Sequence, residues 1–201
     1  MVAVSTAAAY LLGLPMGVVM VLTQPHGIRP NRPLNAALGW VINIGRSLPF
    51  VILMVAIQNF TKLVAGTKIG VRGAIVPLVV SAAPFVARMV ETSLSEVDGG
   101  VVEAAQSMGA STLQIVWKVY LPEAKPSLIL GGSISLIAIV GYTAIAGTVG
   151  GGGLGDVAIR YGHQRGIESV MWVAVIFLVV LIQAVQSVFS RLSVHIDKRL
   201  K

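Results

Sequence analysis

Apolar residues run along this chain in long blocks, not in the three-and-four or alternating spacings of soluble elements. No Asp, Glu, Lys or Arg occurs in residues 1–28, 126–155 or 169–190. Each run exceeds the roughly 20 residues a helix needs to cross the hydrocarbon layer. Two further blocks, 34–57 and 69–90, are interrupted only by Arg46, Arg72 and Arg88. The pattern predicts five spans, at about 2–22, 35–57, 69–90, 127–149 and 169–191. The expected fold is an all-α polytopic membrane protein, a single transmembrane domain of five helices. The first block lacks a basic start, and "LLGLPMGVVMVL" runs on without a small-residue cleavage site, so it is expected to be a retained span and not a signal peptide.

One polar stretch interrupts the pattern: "VEAAQSMGASTLQIVWKVYLP", residues 102–122. It lies in the 91–125 loop, together with Glu91, Glu96, Asp98, Glu103 and Glu123. "VVEAAQSM" is rich in helix formers and follows the breaker Asp98-Gly99-Gly100. Gly109, free to take positive φ, stops that helix. Ser111 and Gln114 then have capping-box spacing for a second one. Leu113, Val116, Trp117 and Tyr120 recur at i, i+3, i+4 and i+7, which predicts one apolar face. Pro122 suits the first turn of the helix returning to the membrane. The stretch therefore reads as a helix–Gly–helix elbow at the membrane's inner face. Trp117 and Tyr120 would also suit an interfacial helix resting on lipid. The small residues around Glu103 favour close approach of another protein, with the second half lying against the chain's own spans.

Composition supports the membrane assignment. The 201 residues are 55% hydrophobic and 11% charged, with mean hydropathy +0.85, against about 25% charged in a soluble domain. Five spans put the termini on opposite sides. With the N-terminus outside, Arg29, Arg32, Arg88, Lys118, Lys125, Arg191, Lys198, Arg199 and Lys201 lie inside, and Lys62, Lys68, Arg72, Arg160 and Arg165 outside. Nine against five favours N-out, C-in, and places the elbow in the cytoplasm. The net charge of +7 flanks the spans and does not cluster with aromatics, so topology, not nucleic acid, accounts for it. The absence of cysteine excludes disulfides and thiolate metal sites.

At the elbow the chain resembles the inner-membrane permease subunits of type I ABC importers. Their signature is E-A-A, three residues, G, nine residues, I, one residue, L-P; here it is Glu103-Ala104-Ala105, Gly109, Val119 (for Ile), Leu121 and Pro122. "NIGRSLPFVILMVAI", "AIVPLVVSAAPFVARMVE" and "VGYTAIAGTVGGGGLGDVAIRYG" are similar to permeases of methionine importers. The resemblance implies a homodimer in a bacterial inner membrane, two ATPase subunits beneath it and a substrate-binding lipoprotein docking outside. ATP and Mg would sit on the ATPases, and this chain would hold no cofactor or metal and catalyse nothing itself. Glu103, Ala104, Ala105, Met108, Gly109, Ala110, Ser111, Leu121 and Pro122 would form the coupling element. Alternatives are the same machine for another amino acid or an osmoprotectant, or a channel or scaffold without ATPases.

Other residues carry weaker signals. Arg46 lies within the second span, where a charge costs roughly 2.5–3.5 kcal/mol and normally faces the bundle or a cavity. It reads either as lining a path, with Ser47, or as a partner for backbone carbonyls freed by Pro49, which itself suits a hinge. Tyr142, Thr143 and Ile145 are candidates for lining or gating the path, or are ordinary packing positions. Arg88 and Glu91 are spaced to pair on a helix and anchor the inner boundary; Arg72 reads as a snorkelling residue. Gly150, Gly152 and Gly155 match G-x-G-x-x-G, but a long apolar span precedes them and no βαβ context is expected. A glycine-rich outer cap with close helix approach is the better reading. His26, His163 and His195 lack metal-ligand spacing, and no intramembrane hydrolase grouping appears.

Overall fold

The computed structural model describes residues 1–147 and 150–196. The end of the fourth expected span (148–149) and the basic residues Lys198, Arg199 and Lys201 lie outside the described residues. Helix α1 (Val2–Thr23) is followed by α2 (Arg32–Ser47), α3 (Phe50–Ala56), α4 (Gln58–Ala65) and the long α5 (Gly70–Ser95). The polar loop holds α6 (Gly99–Ser107), α7 (Thr112–Ile115), a π-helical turn (Val116–Tyr120) and α8 (Leu121–Glu123). Helix α9 (Lys125–Ala146), the short α10 (Leu154–Asp156), a second π-helical segment (Val157–His163) and α11 (Glu168–Ile196) complete it. Four of these, α1, α5, α9 and α11, are long and apolar enough to cross a membrane.

The second expected span, 35–57, is not one straight helix. Helices α2 and α3 meet at 102°. Proline disfavours helical geometry in the residue before it, and Leu48 is accordingly extended, at φ −80° and ψ 120°. Pro49 is extended too and serves as the N-cap of α3. Among the described residues there are thus four single-helix spans, and a fifth if the bent pair is counted as one.

Helix α5 is the hub, packed by α1, α2, α3, α4 and α9, while α11 leans on α9 and the second π segment. The α1–α5 contact is built on Ser5, Ala9, Gly13 and Gly17, all buried and four residues apart. A Cβ added at Gly13 would stand 2.7 Å from the Ala83 carbonyl oxygen, and one at Gly17 2.6 Å from that of Ala87. Small residues at this spacing let two membrane helices approach to backbone contact. Below them the core continues into the loop: Val21, Val90, Leu94, Val97, Val102, Ile115, Val116 and Tyr120 form one buried cluster. A second cluster, Phe50, Met54, Ala74, Leu78 and Ala146, lies nearer the other face.

The expected Arg88–Glu91 pair forms, with Arg88 Nη1 2.7 Å from Glu91 Oε2. It does more than anchor a boundary. Arg88 Nη2 donates to Asn43 Oδ1 of α2 at 2.8 Å, and Gln24 Nε2, just past α1, donates to Glu91 Oε1 at 3.4 Å. One polar cluster thus joins α1, α2 and α5.

Candidate functional site

Asp98 starts α6 by accepting a hydrogen bond from the Gly100 N–H at 2.6 Å. The helix ends in a paired-bond stop. The Gly109 N–H donates to the Gln106 carbonyl at 2.9 Å and the Ala110 N–H to that of Ala105 at 3.1 Å, with Gly109 at φ +79°. This is the Schellman arrangement, and it needs a left-handed residue at Gly109's place. Ala105 and Ala110 both pack against the inner core, supplying the apolar contact that accompanies it. The second helix starts at once. Ser111 Oγ accepts from the Gln114 N–H at 3.4 Å, and Gln114 Oε1 accepts from the Ser111 N–H at 2.8 Å, completing the capping box.

The two caps fix which side chains face outward. Glu103, Ala104, Gly109 and Ser111 are exposed, and Met108 at the tip is 86% exposed. On the inner side the predicted apolar face requires correction. Ile115 (1% exposed), Val116 and Tyr120 are buried, whereas Leu113 and Trp117 are 68% and 66% exposed. The cause is the π turn at Val116–Tyr120, whose i→i+5 bonding sets Ile115 and Tyr120 on the same side. Burial raises the Tyr120 phenol pKa, keeping it neutral. Leu121 packs partly against the core, Pro122 is exposed in the first turn of α8, and α9 follows directly. Arg29 Nε, in the loop after α1, donates to Thr112 Oγ1 at 3.1 Å. The elbow is therefore keyed to α1 and α5 below and continuous with α9 at its end.

The remaining candidates divide. The Tyr142 ring stacks on Phe50 of α3, with centroids 5.0 Å apart and planes 12° off parallel, and Ile145 joins the same cluster. Thr143 Oγ1 donates to the Val140 carbonyl at 2.7 Å and lines a cavity of about 480 Å³ with residues of the 151–155 glycine loop. Arg46 and Ser47 lie on an exposed face of α2, and the Ser47 hydroxyl donates to the Asn43 carbonyl at 2.8 Å. Among the described residues no hydrogen bond joins Arg46 to a backbone carbonyl. The glycine loop lets backbones touch: a Cβ at Gly147 would stand 2.6 Å from the Asp156 nitrogen, and one at Gly151 2.7 Å from the Ala146 carbonyl oxygen. Buried Asp156 pairs with Arg160 at 2.6 Å, below the ring of Tyr161, which Arg165 also covers at 4.5 Å. Sequence reasoning missed the Arg29–Thr112 link, which has no sequence signal. It also missed the small-residue ladder on α1, which "GLPMG" does signal as G-x-x-x-G.

Residues 9–201 match the family model of the binding-protein-dependent transport system inner membrane component. The chain is 54% identical to the probable D-methionine transport system permease protein of Vibrio cholerae, covering 99% of this chain and 88% of that one. It is 42% identical to the methionine import system permease protein of Bacillus subtilis, covering 90% and 82%. Among solved structures, the methionine ABC transporter in inward-facing conformations matches with a TM-score of 0.96 and 43% identity, over 98% of this chain and 92% of that one. An amino-acid ABC transporter solved with histidines shares the fold at a TM-score of 0.67 and 20% identity, over 99% and 90%. With a signature-bearing elbow between apolar spans and a family match over nearly its whole length, the chain belongs to the binding-protein-dependent transport system inner membrane components.

Proposed function

We propose that this chain is the permease subunit of an ATP-driven importer of methionine. Two copies form the path, and the elbow of each docks into one of two separate ATPase subunits, which hold the ATP and Mg. A substrate-binding lipoprotein delivers methionine from outside, where the N-terminus and the glycine-rich cap lie; the elbow and C-terminus are cytoplasmic. Lipid surrounds the apolar spans. The observation that carries this reading is the elbow itself: a doubly capped tip with Met108, Glu103 and Ala104 outward and its underside locked into the core of α1 and α5. Exposed small residues admit a groove wall, and the Glu103 carboxylate offers a charge-assisted hydrogen bond at its rim. Gly109 keeps the tip sharp, Ala105 and Ala110 brace it from within, and Ser111 restarts the helix. Leu121 and Pro122 pass the movement to α9, with Tyr142, Thr143 and Ile145 at the far end of that helix as gate residues. Arg46 and Ser47 line the path beside the Pro49 bend.

The test is uptake of labelled methionine by proteoliposomes holding the chain, its ATPase and the lipoprotein. Gly109→Pro and Glu103→Lys are expected to abolish uptake while ATP hydrolysis continues without lipoprotein stimulation and the spans stay inserted. Wild-type uptake rates in both variants would overturn the coupling role. Failure of the wild-type complex to take up methionine, with uptake of another solute, would overturn the substrate.

A further inference from the structure

Between α9 and α11 lies a groove of about 550 Å³, within the range of small-molecule sites. Its walls differ in chemistry. Ile134 and Ile137 of α9 make one side apolar, while Gln183, Gln186, Ser187 and Ser190 line the other. These four recur at spacings of three and four and so share one face of α11. All four are exposed, in a helix with an 18-residue stretch of mean hydropathy 2.4. Two carboxamides and two hydroxyls turned toward hydrocarbon would forfeit their hydrogen bonds. An independent feature lies on the opposite wall. Ser133 is 4% exposed, and its hydroxyl has no hydrogen-bond partner among the described residues. Ser135, two residues on, bonds back to the Gly131 carbonyl at 2.8 Å as helical serines do. A wall of exposed carboxamides and hydroxyls, with a further unpartnered hydroxyl buried behind the facing wall, calls for a polar occupant.

The position of the groove indicates which occupant. It lies toward the elbow end of both helices, with Arg191 at its mouth. The fold matches an inward-facing transporter, the state in which the elbow-side half of a path is open. We propose, resting on the permease reading above, that this groove is a transit site for the amino-acid zwitterion on the cytoplasmic half of the path. The glutamine amides donate to the carboxylate and accept from the ammonium, since a neutral carboxamide offers both N–H donors and a carbonyl acceptor. Ile134 and Ile137 take up the apolar side chain. The four-residue polar wall carries no full charge, so the substrate is held weakly enough to leave, as conduction requires. Arg191 draws the carboxylate toward the exit.

The chain has no cysteine of its own, which makes single thiols informative. Ser187→Cys and, separately, Ser190→Cys are placed in the permease–ATPase complex in lipid nanodiscs without nucleotide. Each is exposed to a membrane-impermeant methanethiosulfonate, and modification of this chain is followed by mass spectrometry. Both thiols are expected to react, and saturating L-methionine is expected to slow the reaction severalfold. Val188→Cys, on the other side of α11, is expected to stay unreactive in lipid. Two results overturn the proposal: unreactive thiols at 187 and 190, which mean a lipid-facing stripe or, if they cross-link on oxidation, an interface between copies; or reaction that methionine does not slow. Methionine uptake by the wild-type complex, measured alongside, separates failure of this site from failure of the permease reading.

Discussion

Helices α5 and α11 are both spans, yet the chain treats them oppositely. Over an 18-residue stretch of each, α11 is the more apolar, with mean hydropathy 2.4 against 1.8, yet 6% of its stretch is buried against 61% of that in α5. In water the more hydrophobic helix would take the centre. In a bilayer the lipid is as apolar as any leucine, so hydropathy does not choose neighbours; close-fitting small residues and polar ties do. Helix α5 has both, in the α1 ladder and in the Arg88–Glu91–Asn43–Gln24 cluster. Helix α11 turns Trp172, Ile176, Phe177 and Val180 outward, and its polar residues gather on the groove.

The largest break in that contrast is expected from Arg88→Ala. It leaves the Glu91 carboxylate, at 10% side-chain exposure, without its cation, and removing one partner of a buried pair costs about 3–5 kcal/mol. Thermal unfolding of the solubilised complex should show a large drop, and adding Glu91→Leu should restore much of it. A small drop in the single variant would mean that the cluster does not hold the three helices. Next is Gly17→Leu, which drives a side chain into the Ala87 carbonyl and Val90; overpacking of this kind costs about 1–3 kcal/mol. Val188→Leu on the outer side of α11, scored by the same melt, is expected to stay within about 0.5 kcal/mol. Equal effects of the two would erase the distinction between hub and rim. The smallest measurable effect should be Ser111→Ala at the elbow, about 1 kcal/mol for a lost N-cap. It should appear as faster amide exchange in residues 111–115 with the bundle unchanged; exchange unchanged there would mean that the capping box adds nothing.

Much of the elbow was legible in the sequence because caps are local: Asp98, Gly109 and the Ser111–Gln114 pair each act within three or four residues of themselves. The signature positions also acquire separate reasons, Ala105 as the inner brace of the Schellman stop and Leu121 as part of the core. The apolar face was misread because periodicity assumes 3.6 residues per turn and the chain takes a π turn there, which no residue pattern announces. Hydropathy averages over Pro49 and so marks one span at 35–57; the proline carried the hinge reading, but the size of the bend, 102°, has no sequence signal. The Arg88–Glu91 spacing was visible, but its extension to Asn43 and Gln24 joins residues 45 and 67 positions apart. Tyr142 was legible as a candidate and Phe50 was not, since only the bend at Pro49 brings that ring beneath it.

The ladder of Ser5, Ala9, Gly13 and Gly17 has a consequence for how the protein tolerates change. At Gly13 and Gly17 an added Cβ would meet the main-chain oxygens of Ala83 and Ala87 as well as the β-branched Val86 and Val90, so the larger the replacement, the less the neighbours can compensate. Under saturation mutagenesis α1 should therefore show a beat of forbidden positions every fourth residue, in a helix that otherwise accepts almost any oily substitution. That rhythm marks the seam where drift in one helix must wait for drift in another.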